Sequence, residues 1–116
     1  MKFYTISQNN SGGYFIQNNH VEQFICVEAE NARDADELLE KITEPYSEYC
    51  DCCGERWYIS VDERDGYNFP TNGYGEDISE CDAGAYREYI IIYYANGEKK
   101  KYNFKTREFS SLDNWI

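Results

Sequence analysis

The chain has 116 residues, a formal net charge of -11, 41% hydrophobic and 17% aromatic residues, with twelve tyrosines and a single methionine. That length fits one domain, residues 1–116, and the composition supplies a real but modest core. The charge is uneven, because residues 22–88 hold nineteen acids against five bases; such a middle repels nucleic acid and favours a basic protein partner.

Residues 2–6 alternate apolar and polar and are rich in β-formers, which predicts a first strand. The opening turns polar at Ser7, so neither a signal peptide nor a membrane span is expected. Gln8 to Gly13 is a turn cluster, Tyr14-Phe15-Ile16 resumes the strand pattern, and Asn18-Asn19 makes a second turn. Val21 to Ala29 predicts another strand, with Val21, Gln23, Ile25, Val27 and Ala29 on one face and Phe24 and Cys26 on the other.

A helix follows. Asn31 is a good N-cap and Asp34 stands three residues later. Ala32, Ala35, Leu38, Leu39 and Ile42 recur at helical spacing as one apolar stripe, which a sheet face can bury. Asp34, Asp36 and Glu37 sit at the positive end of the helix, and Pro45 stops it. Trp57 to Val61 predicts a short strand and Asp62 to Gly66 a turn. Residues 66–84, rich in glycine and acids, predict an irregular loop of about twenty residues, a length that points to a binding loop or a metal-clipped region.

Asn96-Gly97 between Tyr86–Ala95 and Glu98–Phe104 is the strongest short hairpin signal in the chain. A two-residue turn would pair Ala95 with Glu98, Ile92 with Lys101 and Ile90 with Asn103. It would place Tyr89, Ile91, Tyr102 and Phe104 on the core face, with the lysines protecting an exposed strand edge. Trp115 is expected to anchor the tail. Together these elements predict an α+β fold: an antiparallel sheet with one helix on a face and a cysteine-containing loop region.

The cysteines offer the sharpest chemistry. Cys50-Asp51-Cys52-Cys53-Gly54-Glu55-Arg56-Trp57 contains a Cys-x-x-Cys-Gly spacing, in which two thiolates can meet one zinc ion and the glycine lets the backbone fold behind them. Four ligands are needed. Cys50 and Cys53 supply one pair, and Cys81 and His20, both in turn-rich segments, are the candidates for the other. Reduced structural thiols are the alternative, and Cys26, inside a strand, is expected to be a small buried residue. Five cysteines without a leader favour reduced thiols in a cytoplasm over a disulfide framework.

Catalysis has little support. A thiol nucleophile at Cys52 or Cys53 would need a base, and His20 is the only histidine. Asp62, Glu63 and Asp65 do not match a calcium-loop spacing and are expected to be turn acids. Gly73-Tyr74-Gly75 lacks the strand-and-helix context of a phosphate loop. Lys99-Lys100-Lys101 alternates between two strand faces and so forms no single basic patch, although Lys99, Lys101 or Arg107 beside tyrosines could hold a small anionic ligand.

Two stretches, Lys2 to Gly13 and Cys50 to Trp57, together with the run from Glu28 to Ile42, resemble a family of small uncharacterised proteins of tailed bacteriophages. The resemblance implies a phage accessory product acting in the bacterial host cytoplasm, and carries no activity or residue roles with it. The function expected is a non-enzymatic acidic protein that binds and inhibits a host protein with a basic surface, an antiviral defence factor, without direct contact to nucleic acid or membrane. The alternatives are sequestration of a small nucleotide signal, or a zinc-stabilised structural or assembly module of the phage.

Overall fold

The computed structural model describes residues 1–47, 49–50, 54–81 and 87–116. Its centre is a five-stranded mixed sheet of β1 (Lys2–Ser7), β2 (Phe24–Ala29), β5 (Tyr89–Tyr93), β6 (Lys99–Asn103) and β7 (Glu108–Leu112), in the order β1-β2-β5-β6-β7. One α-helix, α1 (Ala32–Thr43), packs on a face. A two-stranded antiparallel sheet of β3 (Tyr49–Cys50) and β4 (Gly54–Glu55) stands apart from the main sheet. The fold is α+β as expected, but the sheet is not purely antiparallel. β2 and β5 run parallel, with Phe24 opposite Ile90 and Val27 opposite Tyr93, because the chain crosses over through α1 and the long irregular segment before returning.

The two parallel strands, Phe-Ile-Cys-Val-Glu-Ala and Tyr-Ile-Ile-Ile-Tyr, are nearly continuous apolar runs, the pattern of strands buried on both faces. One face carries Tyr4, Ile6, Ile25, Val27, Ile91 and Tyr93 against Ala32, Ala35 and Leu39 of α1 and against Trp57. The other carries Phe3, Phe24, Cys26, Ile90, Ile92, Tyr102 and Phe104 beneath Ile78 and Cys81. The irregular segment therefore acts as the second cover. It is tied to the edge of β1, where Phe3 and Tyr67 exchange both backbone hydrogen bonds at 2.7 and 3.0 Å. Gly66 permits this approach, since a Cβ there would lie 2.9 Å from the Tyr4 ring.

Helix α1 forms as its caps and stripe predict. Asn31 Oδ1 accepts from the Asp34 amide at 2.8 Å. Ala32, Ala35, Leu39 and Thr43 are buried, and Pro45 sits in the short 3-10 turn that follows. The hairpin differs from expectation by one residue. Tyr93 pairs with Lys99, Ile92 with Lys100 and Ile90 with Tyr102, because the loop has three residues and Gly97 takes the left-handed position with φ +96°. The slip moves Tyr102 and Phe104 to the face of Ile90 and Ile92, away from Tyr89 and Ile91. Pairing with β7 on its other side leaves β6 interior, so its lysines protect no edge.

Three further differences follow from tertiary contacts. Tyr14-Phe15-Ile16 forms no strand; the Ile16 amide instead donates to the Gln8 side chain at 2.7 Å. Trp57 to Val61 contributes a single bridge, Gln8 to Trp57, rather than a strand. β7, absent from the expected elements, pairs along β6 with Tyr102 opposite Phe109. Trp115 anchors the tail as expected, its indole donating to the carbonyls of Tyr94 and Glu98 at 2.9 and 3.1 Å.

Candidate functional site

The expected zinc ligands are not gathered by the described residues. His20 is exposed on the helix side, stacked on Tyr46 with ring centroids 6.4 Å apart. Cys81 is buried in the cluster on the opposite side of the sheet, so these two cannot complete one tetrahedral site. Cys50 contributes backbone pairing to Gly54, while Cys52 and Cys53 lie outside the described residues. Among the described residues no group of three or more His, Cys, Asp and Glu could hold a metal ion. Cys26 is the buried strand residue expected, its thiol pushed up to about 12 chiefly by burial, with hydrogen bonds to Thr5 and the Thr71 backbone pulling the other way.

The acids of the 62–65 turn have structural partners. Asp62 and Asp65 form a reciprocal capping box, and Glu63 accepts from the Ala32 amide at 2.9 Å and from the Tyr4 hydroxyl at 3.1 Å. Glu63 thereby occupies the N-terminus of α1 and ties it to β1. Arg56, exposed by its sequence neighbours to easy misreading as a surface charge, is fully buried. Its guanidinium donates to Gln8 Oε1 and to the Tyr14 carbonyl, both at 2.9 Å, and lies 4.7 Å from the centre of the Tyr14 ring. Gln8 is buried as well and donates to the Ile16 and Glu22 carbonyls. This polar knot fixes the end of the Cys50–Trp57 stretch onto β1.

The three lysines of β6 separate onto different partners. Lys101 meets the buried Glu22 carboxylate at 2.6 Å, Lys100 reaches Glu98 at 3.8 Å, and Lys99 lies 5.5 Å from the centre of the Tyr93 ring. Lys99 is 5% exposed as a whole residue, and its ammonium makes no hydrogen bond or salt bridge among the described residues, with the charge of Asp113 acting from nearby. Burial foremost, with Lys101 adding to it and Asp113 opposing, pulls its pKa below the ordinary lysine value. Arg107, the third cation expected near a small anion, instead donates to the Ser79 carbonyl at 2.8 Å on the other cover.

Two surface grooves flank α1. One is lined by Glu40, Thr43, Glu44, Ser47, Glu55, Trp57 and Ile59, with a volume near 390 Å³. Glu40, Glu44 and Glu55 are exposed there, and Asp34 and Glu37 extend the acids along the outer face of the helix. The other groove, near 530 Å³, lies between α1, the turn at His20 and the C-terminal tail. Its walls include Leu38, Lys41, Ile42, Tyr46, Tyr93, Lys99 and Trp115. Helical periodicity explains the division: 37, 40 and 44 fall on one flank of α1, 38, 41 and 42 on the other, and 32, 35, 39 and 43 face the sheet.

A family model described as a domain of unknown function, DUF7296, matches residues 1–110. The chain belongs to this family. The match spans both sequence stretches singled out above, the hairpin at Gly97, and most of both grooves, leaving only residues 111–116, with Trp115, beyond it. No curated protein and no solved structure matches the chain. No helix among the described residues is long and apolar enough to cross a membrane.

Proposed function

We propose that the protein is a non-catalytic binding protein that engages a basic surface on a host protein, in the phage setting that the sequence resemblance implies an antiviral defence factor to be inhibited. The observation that carries this reading is the acidic flank of α1. Glu40 on the helix, Glu44 at the start of the 3-10 turn that follows it and Glu55 on β4 converge on one groove with Trp57 in its wall, and Tyr58, next to Trp57 in the chain, is 76% exposed. Carboxylates in this arrangement attract lysine and arginine side chains, and an exposed tyrosine ring adds a face on which a guanidinium can stack. Among the described residues the carboxylates in this groove have no cationic partner, in contrast to Glu22, Glu98 and Glu37, which meet Lys101, Lys100 and Arg33.

The test is a pulldown from bacterial host lysate with the wild-type protein and with the triple variant Glu40→Lys, Glu44→Lys, Glu55→Lys. A specific partner that is retained at low salt, released near ~0.5 M salt and lost with the variant supports the reading. A partner indifferent to both salt and charge reversal overturns it.

A further inference from the structure

The opposite flank of α1 has the reverse chemistry. In a protein of net charge -11, the groove walled by Tyr46, Tyr93 and Trp115 holds two lysines, Lys41 and Lys99, and among the described residues no carboxylate lines it. Its aromatic walls are organised before any ligand arrives. Trp115 stands edge-on to Tyr93 at 5.6 Å and 78°, and its indole N–H is held by two backbone carbonyls. His20 and Tyr46 are nearly parallel, at 21°. The Tyr93 hydroxyl donates to the His20 carbonyl, which fixes the turn at the rim.

Lys99 is the decisive residue. An ammonium drawn partly out of water ordinarily has a carboxylate or carbonyl to compensate its lost hydration. Lys101, two residues away, has both, in Glu22 and the Asn18 carbonyl. Lys99 has the Tyr93 ring and the charge of Asp113 nearby, makes no side-chain hydrogen bond among the described residues, and borders the open groove. An ammonium so placed gains more from an incoming anion than an exposed lysine does, because solvent screens the contact less.

We propose that this groove is a binding site for a nucleoside monophosphate, its base stacked among His20, Tyr46 and Trp115 and its phosphate set on Lys99 and Lys41. Two cations suit the dianionic phosphate ester better than a lone carboxylate. A groove near 530 Å³ falls in the usual range for small-molecule sites, ~300–1,000 Å³, and has room for base, sugar and phosphate. The acidic flank next to it disfavours a longer polyphosphate chain. The site is separate from the carboxylate groove and does not depend on the protein partner proposed there.

The experiment is calorimetric titration of the full chain with each of the four common nucleoside monophosphates. The corresponding nucleosides and inorganic phosphate serve as single-feature probes, and the intrinsic fluorescence is followed in parallel because Trp115 lines the groove. The expected result is saturable binding of at least one monophosphate, at least tenfold tighter than its nucleoside or phosphate alone. Lys99→Met and Tyr46→Ala should each weaken it at least tenfold with an unchanged circular dichroism spectrum. Lys41→Glu, an exposed change that leaves the core untouched, guards against a folding defect and should weaken binding as well. The proposal is overturned if no monophosphate binds at millimolar concentration, if a nucleoside or phosphate binds equally well, or if folded Lys99→Met or Lys41→Glu protein binds like the wild type.

Discussion

At the scale of the residue, buried polar groups give this protein its specific geometry. Glu22 and Lys101 have side chains only 2% and 18% exposed, and each is the other's compensation for lost hydration. Lys101→Met should therefore cost about 3–5 kcal/mol in urea denaturation, because it strands the carboxylate. Adding Glu22→Gln to that variant should recover part of the loss. The thiol of Cys26 makes a prediction of the opposite kind. Its folded pKa is near 12 against an ordinary 9.0, so between these values the unfolded chain releases a proton that the folded chain keeps. Its contribution is complete below pH 9 and is lost as pH rises toward 12. Burial of Tyr4, Tyr93 and Tyr94 acts in the same direction, and the lowered pKa of Lys99 acts against it. The urea midpoint should fall between pH 8 and pH 10.5, and less steeply in Cys26→Ala; equal slopes in both proteins would refute the assignment to this thiol. The buried pair is not marked in the sequence, whereas the buried thiol is, because Cys26 falls inside a strand. Glu22 and Arg56 look like any other charges until the fold closes over them.

At the scale of the element, local chemistry was legible where it is self-contained. The cap at Asn31 and the stripe from Ala32 to Ile42 need only the helix itself to be recognised. Asn31→Ala should cost about 0.5–2 kcal/mol by loss of the bond to the Asp34 amide, measurable as a shift in the denaturation midpoint. The hairpin was legible as a hairpin but not in its register. Asn96-Gly97 is compatible with a two-residue or a three-residue loop, and the choice reverses which side chains share a face. The three-residue loop places Gly97 at φ +96°, packed under Ile116, whose Cβ would stand 3.4 Å from an added methyl group. Gly97→Ala is expected to destabilise by about 1–2 kcal/mol, measured as a shift in the denaturation midpoint. Tyr14 to Ile16 and Trp57 to Val61 misled for a shared reason: each has strand composition, yet neither lines up along a strand and each is held by isolated contacts instead. The Ile16 amide is taken by the Gln8 side chain, and Trp57 makes one isolated bridge to Gln8, just past the end of β1.

At the scale of the whole molecule, charge is divided with the grooves. Carboxylates gather on one flank of α1, while lysines and aromatic rings gather on the other. The excess of acids also makes the fold repel itself. Raising salt from about 20 to about 200 mM shortens the screening length from roughly 20 to roughly 7 Å, and the melting temperature should rise across that interval. A flat or falling melting temperature would show that the surface acids are already compensated. The metal set expected from Cys50, Cys53, Cys81 and His20 illustrates why a site is harder to read than a strand. Spacing along the chain suggested that two turn residues could converge, but the sheet stands between His20 and Cys81.

The sequence by itself determined the α+β class, one helix with its caps, the strand alternation at 24–29 and the presence of a hairpin at Gly97. These depend on periodicity and on turn chemistry confined to a few neighbouring residues. Only the tertiary structure decided the parallel pairing of β2 with β5, the hairpin register, the burial of Arg56 and Glu22, and the placing of Lys99 among aromatic rings. Those outcomes depend on which distant segments cover each face of the sheet, and a linear pattern does not encode that choice locally.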